Sequence, residues 1–417
     1  MNFTLEESYV DAATHLVSAF YDRFPYPGDP LQDGPPPGYN WRWSYQNVVY
    51  ACTGTLPIVS TENIRILDAG CGTGVSTDYL CYLNPGADIL AIDISDHALE
   101  VARERLRRSN GTKQVARLRQ EQCSILNLNE KDSFHYINSV GVLHHLRDPL
   151  LGLKSLANSL LPGGIIHLFL YADGGRWEIH RTQRALKLMG IGSNENGLKL
   201  SRKLLKELPL DNRLRKHHEE RWALDTAADA NFADMYLHPQ ETSYNLSKLF
   251  NLIKSAGLEF IGFSNPPVWE LKRLLDGELL DRALSLSIEK QWLLIETLDP
   301  DISHFEIFAS KGHLSYYNWN VNSILSATAI VNPCLWGFPS SSMLGPDFEP
   351  LTIESDEMKI IEFLEKCLKR VVINQIPDII HSSVQDLVKM LLSKQVLMLS
   401  PTSIKDSLSF KKELEKA

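Results

Sequence analysis

No apolar run in this sequence approaches the roughly 18 residues that a membrane span requires, and no segment repeats or falls to low complexity. Close cysteine pairs are missing too. The six cysteines are scattered at 52, 71, 81, 123, 334 and 367, which matches no zinc spacing, and a chain this long needs no disulfide framework. They read as reduced thiols, with no metal site expected. An excess of positive charge is absent: the formal net charge is -9, so the broad field that draws phosphate backbones is lacking, and nucleic acid is not expected as the main partner. The opening Met1-Asn2-Phe3-Thr4-Leu5-Glu6-Glu7 carries two acids and no base ahead of an apolar run, unlike a secretory signal. The expectation is a soluble, cytoplasmic protein with no membrane partner.

What is present is globular. With 44% hydrophobic and 22% charged residues, the chain has material for a real core, and 417 residues suit two or three domains. Residues 5–24 carry apolar positions Leu5, Tyr9, Ala12, Leu16, Ala19 and Phe20 at helical spacing. Tyr21-Asp22-Arg23-Phe24-Pro25-Tyr26-Pro27 follows, then a loop with Pro35-Pro36-Pro37 that excludes helix. From Ile64 short apolar runs alternate with helical patterns. Strands are expected at 64–69, 89–92, 134–141 and 165–171, and helices at 74–83, 96–109 and 149–161. Ser95 or Asp96 caps the second helix, and Pro162-Gly163-Gly164 stops the third. Residues 176–243 are helical and basic, without strand signals. The alternation returns with a helix at 246–256 and strands at 258–263 and 305–309. An aromatic, irregular stretch runs to about 350. A helix-rich tail ends the chain, with apolar positions Ile360, Phe363, Leu364 and Leu368, then Val384, Leu387, Val388 and Leu391, and a closing strand at 396–399. Strand–helix alternation implies an α/β fold with a Rossmann-like, mostly parallel sheet covered on both faces. The tail suggests a small winged-helix-like module.

The chemistry concentrates in Ile66-Leu67-Asp68-Ala69-Gly70-Cys71-Gly72-Thr73-Gly74. A buried strand delivers an acid, and three glycines at alternate positions then let the backbone turn and approach a ligand closely. Nineteen residues later Asp93 ends the next strand, where an acid can accept both hydroxyls of a ribose. A dinucleotide fingerprint is G-x-G-x-x-G, whereas here the spacing is G-x-G-x-G, with Val75 in the third glycine's place. Asp68 beside the loop repels a pyrophosphate but suits a cationic amino-acid group. S-adenosylmethionine has that group and no phosphate.

The stretch resembles class I methyltransferases, well over about 60–175 and more loosely over 240–312. The resemblance implies a seven-stranded sheet with S-adenosylmethionine as cofactor. Asp68 with Gly70, Cys71, Gly72 and Gly74 would hold the methionine end and Asp93 the ribose, with Ile94, Ser124, Ile125 and Val140 also lining the cofactor. Asn138-Ser139-Val140-Gly141-Val142-Leu143-His144-His145-Leu146-Arg147-Asp148-Pro149 is similar to the family's fourth-strand segment under the transferred methyl. Where family members usually carry an acid for the adenine amino group, this chain has Ser124, so weaker cofactor affinity is expected. Tyr21-Asp22 with Pro25-Tyr26-Pro27 looks like the lead-in of some bacterial methyltransferases, among them enzymes attached to tetratricopeptide repeats and the rickettsial protein-lysine methyltransferases. Leu170-Tyr171-Ala172 with Arg176 resembles a further segment of the repeat-attached group. The implied organisation is an N-terminal helical lid at 1–60, a methyltransferase domain at 61–312 with a helical insertion at 176–243, and a C-terminal module at 313–417.

His144, His145 and Tyr171 are the candidate catalytic residues. Adjacent histidines at a strand end point opposite ways, so at most one faces the methyl group; a base is not obligatory, since alignment alone supplies much of such an acceleration. Tyr21, Tyr26 and Tyr171 either close over the sulfonium or are amphipathic tyrosines at the core's edge. Asp234-Met235-Tyr236-Leu237-His238-Pro239 reads as an ordinary turn rather than a flap. Asn265-Pro266-Pro267-Val268 is similar to the Asn-Pro-Pro-aromatic motif of amino-group methyltransferases but follows the sixth strand, not the fourth, and is set aside. The basic run 199–221 is interleaved with Glu207, Glu219 and Glu220, which suits a solvated face. A small-molecule acceptor is favoured, with a protein side chain second. The rival is a non-catalytic module that only binds S-adenosylmethionine.

Overall fold

The computed structural model describes residues 12–57, 61–337, 342–367, 371–376 and 383–402. These fall into two compact units. The first holds residues up to Pro35, Ile64–Cys81 and Ala87–His313; the second holds Pro36–Asn63, Tyr82–Gly86 and the residues from Leu314 on.

The first unit is built on β1 (Arg65–Ala69), β2 (Asp88–Asp93), β3 (Arg117–Gln122), β4 (Phe134–Val140), β5 (Leu160–Tyr171), β6 (Glu259–Phe263) and β7 (His304–Ser310). They form one seven-stranded sheet in the order β3-β2-β1-β4-β5-β7-β6. Only β7 runs antiparallel to its neighbours. The order turns outward on either side of β1 and β4, and an open parallel sheet places its ligand crevice at such a switch point. The inner strands are buried on both faces, which is why β1, β2 and β4 read as near-continuous apolar runs.

Helices in chain order are α1 (Ala12–Arg23), α2 (Tyr45–Thr53), α3 (Val75–Leu83), α4 (Asp96–Ser109), α5 (Pro149–Ser159), α6 (Trp177–Leu188), α7 (Glu195–Glu207), α8 (Arg213–His217), α9 (Asp229–Leu237) and α10 (Leu246–Ser255). Then come α11 (Gly277–Leu284), α12 (Ile288–Leu298), α13 (Val321–Leu325), α14 (Ser355–Lys366) and α15 (Val384–Ser393). Ser95 caps α4 by accepting from Ala98 N, and Asp148 caps α5 ahead of its proline. Helices α6 to α9 form the insertion around their own core of Ile179, Leu186, Leu205 and Phe232, which Phe20 and Phe24 of the N-terminal segment join. The basic run is ion-paired at Arg202–Asp229, Arg213–Glu178, Arg215–Glu219 and Arg221–Asp301.

Several expectations need correction. The first helix is described from Ala12; Leu5 and Tyr9 lie outside the described residues, as does Leu368. Pro162-Gly163-Gly164 does not follow a helix that reaches Leu161. Helix α5 ends at Ser159, and the three residues lie inside β5, where the pairing with β4 shifts register. The boundary expected at residue 60 is not where the compact units divide, because residues 36–57 pack with the C-terminal part. Asn47 Nδ2 donates to Asn332 Oδ1 at 2.7 Å and Trp41 Nε1 to Asp347 Oδ1 at 2.9 Å. The stretch read as irregular to about 350 contains α13, β8 (Ala327–Val331) and β9 (Ser342–Leu344), the latter paired with β10 (Pro350–Thr352). Strand β8 is central to a three-stranded antiparallel sheet between β11 (Val371–Val372) and β12 (Leu397–Pro401). Helices α14 and α15 cover it around Ile360, Ile361, Val388 and Leu391.

Candidate active site

The loop after β1 consumes its own N–H groups. Gly70 N and Cys71 N both donate to Ile92 O, Gly74 N to Cys71 O, and Thr73 N to Tyr26 O at 3.0 Å. Gly72 N donates to Asp93 Oδ2 at 2.8 Å. All five N–H groups from Gly70 to Gly74 are therefore committed, and a pyrophosphate would find no donor there. Gly70 (φ +80°) and Gly72 (φ +51°) sit in the left-handed region, and a Cβ at either would collide, with Val142 and with the Tyr26 carbonyl respectively. The site offers acceptors instead. Asp93 Oδ1 takes the Ser95 N–H at 2.9 Å, so both its oxygens are oriented by backbone and keep outward lone pairs for hydroxyls. Asp68 is 1% exposed. Its Oδ2 accepts from Ser76 and Thr77 hydroxyls at 2.7 and 2.6 Å, and its Oδ1 from Asn138 Nδ2 at 2.8 Å, which leaves a lone pair on Oδ1. Burial raises both acids above the ordinary carboxylate range, the hydrogen bonds opposing it. Two carboxylates beside a loop whose N–H groups from Gly70 to Gly74 are all committed suit an ammonium group and ribose hydroxyls, and so fit S-adenosylmethionine better than a dinucleotide.

The remaining cofactor candidates lie around the same strand ends. Cys71 is buried, and burial with Asp93 and Asp68 nearby holds its thiol protonated. Ile94 O takes hydrogen bonds from Ser18 and Gln122. Ser124 Oγ already accepts Leu126 N at 3.2 Å, capping the turn that buries Ile125. Val140 ends β4 beside Gly141, where an added Cβ would meet nothing within 4 Å. The lead-in segment is fastened to the loop: Thr73 Oγ1 donates to Pro27 O at 2.7 Å, and Arg105 ties Thr73 O to Asp29 O and Pro30 O.

Beyond β4 and β5 a polar-aromatic cluster forms. His144 and His145 do not leave a strand end in opposite directions. They sit on a 3-10 turn, Leu143–His145, with ring centroids 4.2 Å apart. His144 is fully buried and stacks on Tyr171 at 3.8 Å, and neither of its ring nitrogens has a partner. Tyr21 and Tyr171 hydroxyls both donate to Asp234, at 2.9 and 3.2 Å. Tyr26 lies 6.5 Å from the Tyr21 ring. Burial first, then the Asp234 charge, pushes all three tyrosines well up, so they remain hydroxyls. Asp234 is itself raised by burial, against the His145 field and the Tyr21 bond.

Three of these groups were not anticipated: Asp234, His238 and Gln240. The main chain of Gln240 faces two imidazoles whose rings are tilted by 33° with centroids 3.7 Å apart. Its carbonyl lies 2.9 Å from His145 Nδ1, and its N–H donates to His238 Nδ1 at 3.1 Å. A carbonyl can only accept and an N–H can only donate, so the neutral rings are fixed in opposite tautomers. His145 carries its proton on Nδ1 and presents a lone pair at Nε2. His238 carries its proton on Nε2, buried and without a partner. Burial, with His145 next, holds His238 well below the usual histidine range and hence neutral. His145, Asp234 and His238 each place a donor atom within 4.8 Å of the others, a spacing that can hold a metal ion. With Nε2 protonated, His238 has no free lone pair to give, so the arrangement suits proton transfer and hydrogen bonding better than cation binding. Arg176 flanks the cluster, 3.4 Å over the Tyr171 ring, and forms a two-pronged pair with Glu241 at 3.1 and 2.9 Å.

Asp234 and His238 are thus no ordinary turn: Asp234 belongs to α9 and is 3% exposed. Nothing local announced this, since Tyr21 and Asp234 are 213 residues apart. The one available signal was the density of Asp, His and Glu between 234 and 241.

Comparison with known proteins agrees with this geometry. Residues 67–166 match the model of a methyltransferase domain. An uncharacterised protein of Synechococcus, syc1184_c, is 44% identical over 409 residues, 96% of each chain. A ubiquinone biosynthesis O-methyltransferase of Xanthomonas campestris is 30% identical over 135 residues; the match spans 32% of this chain and about half (51%) of that enzyme. The structure of PKMT2 from Rickettsia typhi in complex with AdoHcy superposes with a TM-score of 0.60 at 16% identity, covering 88% of this chain and 78% of that one, and shares the fold. Residues 67–166 are therefore a methyltransferase domain, whose methyl donor is S-adenosylmethionine. Among the described residues no helix is long and apolar enough to cross a membrane.

Proposed function

We propose that this chain, which belongs to the same family as the Synechococcus protein syc1184_c, is a methyltransferase acting on a hydroxyl oxygen of a small molecule, with His145 as the general base. The observation that carries this reading is the Gln240 carbonyl, which fixes His145 with a lone pair at Nε2 among Tyr21, Tyr171 and His238. When bound, S-adenosylmethionine supplies a methyl group on a cationic sulfur. His145 Nε2 takes the proton that the acceptor's hydroxyl gives up. His238 Nε2–H stands ready to donate to an acceptor oxygen. Tyr21 and Tyr26 belong to a segment fastened across the glycine loop, which excludes water from the reacting atoms. The name of the Xanthomonas relative, an O-methyltransferase, supports oxygen as the acceptor.

A protein amine is the second reading, favoured by a buried carboxylate, Asp234, set among aromatic rings that also suit a protonated amine. Incubation with methyl-labelled cofactor and a cell extract, split into small molecules and macromolecules, decides between them. Label confined to macromolecules refutes the small-molecule reading. No turnover to S-adenosylhomocysteine in any fraction leaves only a binding module.

Two binding results are expected. S-adenosylhomocysteine should raise the melting temperature and NAD should not; the reverse would return the core to the dehydrogenases. Asp93→Ala should weaken S-adenosylhomocysteine binding by about 1.5–3 kcal/mol, the scale of a hydrogen bond to a charged group. Calorimetry on a folded variant with unchanged affinity would remove Asp93 from the ribose site.

A further inference from the structure

A second buried polar row crosses the sheet and ends on the cofactor side. Asp68, Asn138 and His167 are direct neighbours in register on β1, β4 and β5, and all three are at most 1% exposed. Asn138 Nδ2 donates to Asp68 Oδ1 at 2.8 Å, which turns Asn138 Oδ1 the other way. That oxygen can only accept, so His167 Nδ1, 2.9 Å away, carries a proton and donates it. On the far side His167 Nε2 lies 3.0 Å from Glu306 Oε1 on β7. Glu306 Oε2 in turn accepts the Ser264 hydroxyl. The links from Asp68 to His167 Nδ1 each have one permitted direction, whereas between Nε2 and Glu306 Oε1 the proton is carried by one atom or the other.

We propose that His167 is a positioning residue for the amino-acid end of the methyl donor, acting through Asn138 on Asp68. The inference rests on Asp68 holding that end. Ser76 and Thr77 occupy Oδ2, so the lone pair left for a ligand is on Oδ1, the oxygen that Asn138 orients. Asp68 accepts only the amide nitrogen of Asn138, and His167 Nδ1–H holds the amide oxygen on the opposite side, which keeps the amide from turning away. Glu306, itself bonded by Ser264, holds the imidazole from behind.

The probes are S-adenosylhomocysteine, which has the amino-acid end, and 5′-methylthioadenosine, which lacks it. His167→Phe keeps the bulk and removes both nitrogens. Its affinity for S-adenosylhomocysteine should fall about tenfold, the scale of one lost hydrogen bond, with affinity for 5′-methylthioadenosine within about twofold of the parent. His167→Gln restores an N–H and should recover most of the loss. If His167→Phe does not fold, Asn138→Ala cuts the same link and carries the same expectation. Equal weakening toward both probes, or no weakening toward either, overturns the proposal. Asp68→Asn separates the premise from the inference. If it leaves the ratio of the two affinities unchanged, Asp68 does not hold the amino-acid end and the premise fails. If it collapses the ratio while His167→Phe does not, the premise stands and the role of His167 is refuted.

Discussion

His145→Gln should reduce methyl-transfer turnover by a factor of about 10² to 10⁴, the range supplied by a positioned general base, while S-adenosylhomocysteine affinity stays at the parent's value. The tautomer argument makes this specific to one of three histidines. His144 is buried without hydrogen-bond partners, and burial, His145 and Arg176 hold it neutral and well below the ordinary histidine range. His238 offers a proton at Nε2, not a lone pair. Only His145 presents a fixed acceptor nitrogen, because its other nitrogen is committed to the Gln240 carbonyl. Glutamine keeps polar contact with that carbonyl but supplies no basic nitrogen. The measurement is single-turnover methyl incorporation into the acceptor fraction under saturating cofactor, with calorimetry for affinity. Turnover within about threefold of the parent would mean that alignment carries the reaction alone, and the base would be withdrawn.

The two halves of the site were legible to very different degrees. The cofactor half is written in consecutive residues: β1 delivers Asp68, the glycines follow at once, and Asp93 comes at the end of the very next strand. Local backbone demands fix those residue types, so a short pattern announces them. The acceptor half is assembled across the chain. Tyr21, His145, Tyr171 and Asp234 meet only because α1, the turn after β4, the end of β5 and α9 converge. The opposite tautomers of His145 and His238 depend on the main-chain N–H and carbonyl of residue 240, which any residue but proline would provide, so no side-chain motif could have revealed them. Edge strand β3, Arg-Leu-Arg-Gln-Glu-Gln, is only half-buried and lacks the apolar run of its neighbours. Its own texture predicts no strand, and only the seven-stranded sheet that the resemblance implies leaves room for it. Residues 36–57 were assigned by adjacency to a lid. Asn47 and Trp41 find their partners near residues 332 and 347, a separation at which sequence proximity carries no information.

Glu241→Gln should cost about 3–5 kcal/mol of folding stability at neutral pH, and the cost should shrink as the pH is lowered. Glu241 and Arg176 side chains are 8% and 3% exposed, so solvent screens the pair weakly. Burial by itself would raise the Glu241 carboxyl. The His180 hydrogen bond and the Arg176 charge and hydrogen bonds outweigh it and bring the group down to about 2. A free glutamate titrates near about 4.3, so the folded value is the depressed one. The charged form is favoured by folding, and that contribution is fully present above about pH 4.5 and is lost as the pH falls toward 2. Its full size is about 3 kcal/mol, from roughly two pH units of separation at 1.36 kcal/mol each. Glutamine does not titrate, so the variant lacks this acid-side loss, while at neutral pH it leaves the Arg176 guanidinium buried with half its pairing gone. Arg176 lies over Tyr171, and Tyr171 donates to Asp234, so the same substitution should also disturb the acceptor cluster. Urea unfolding of parent and variant at pH 7 and again near pH 3.5 is the test. A stability difference of the same size at both pH values would show that the charge of Glu241 does not hold Arg176 in place, and a difference under about 1 kcal/mol at pH 7 would show that the pair is solvated rather than buried.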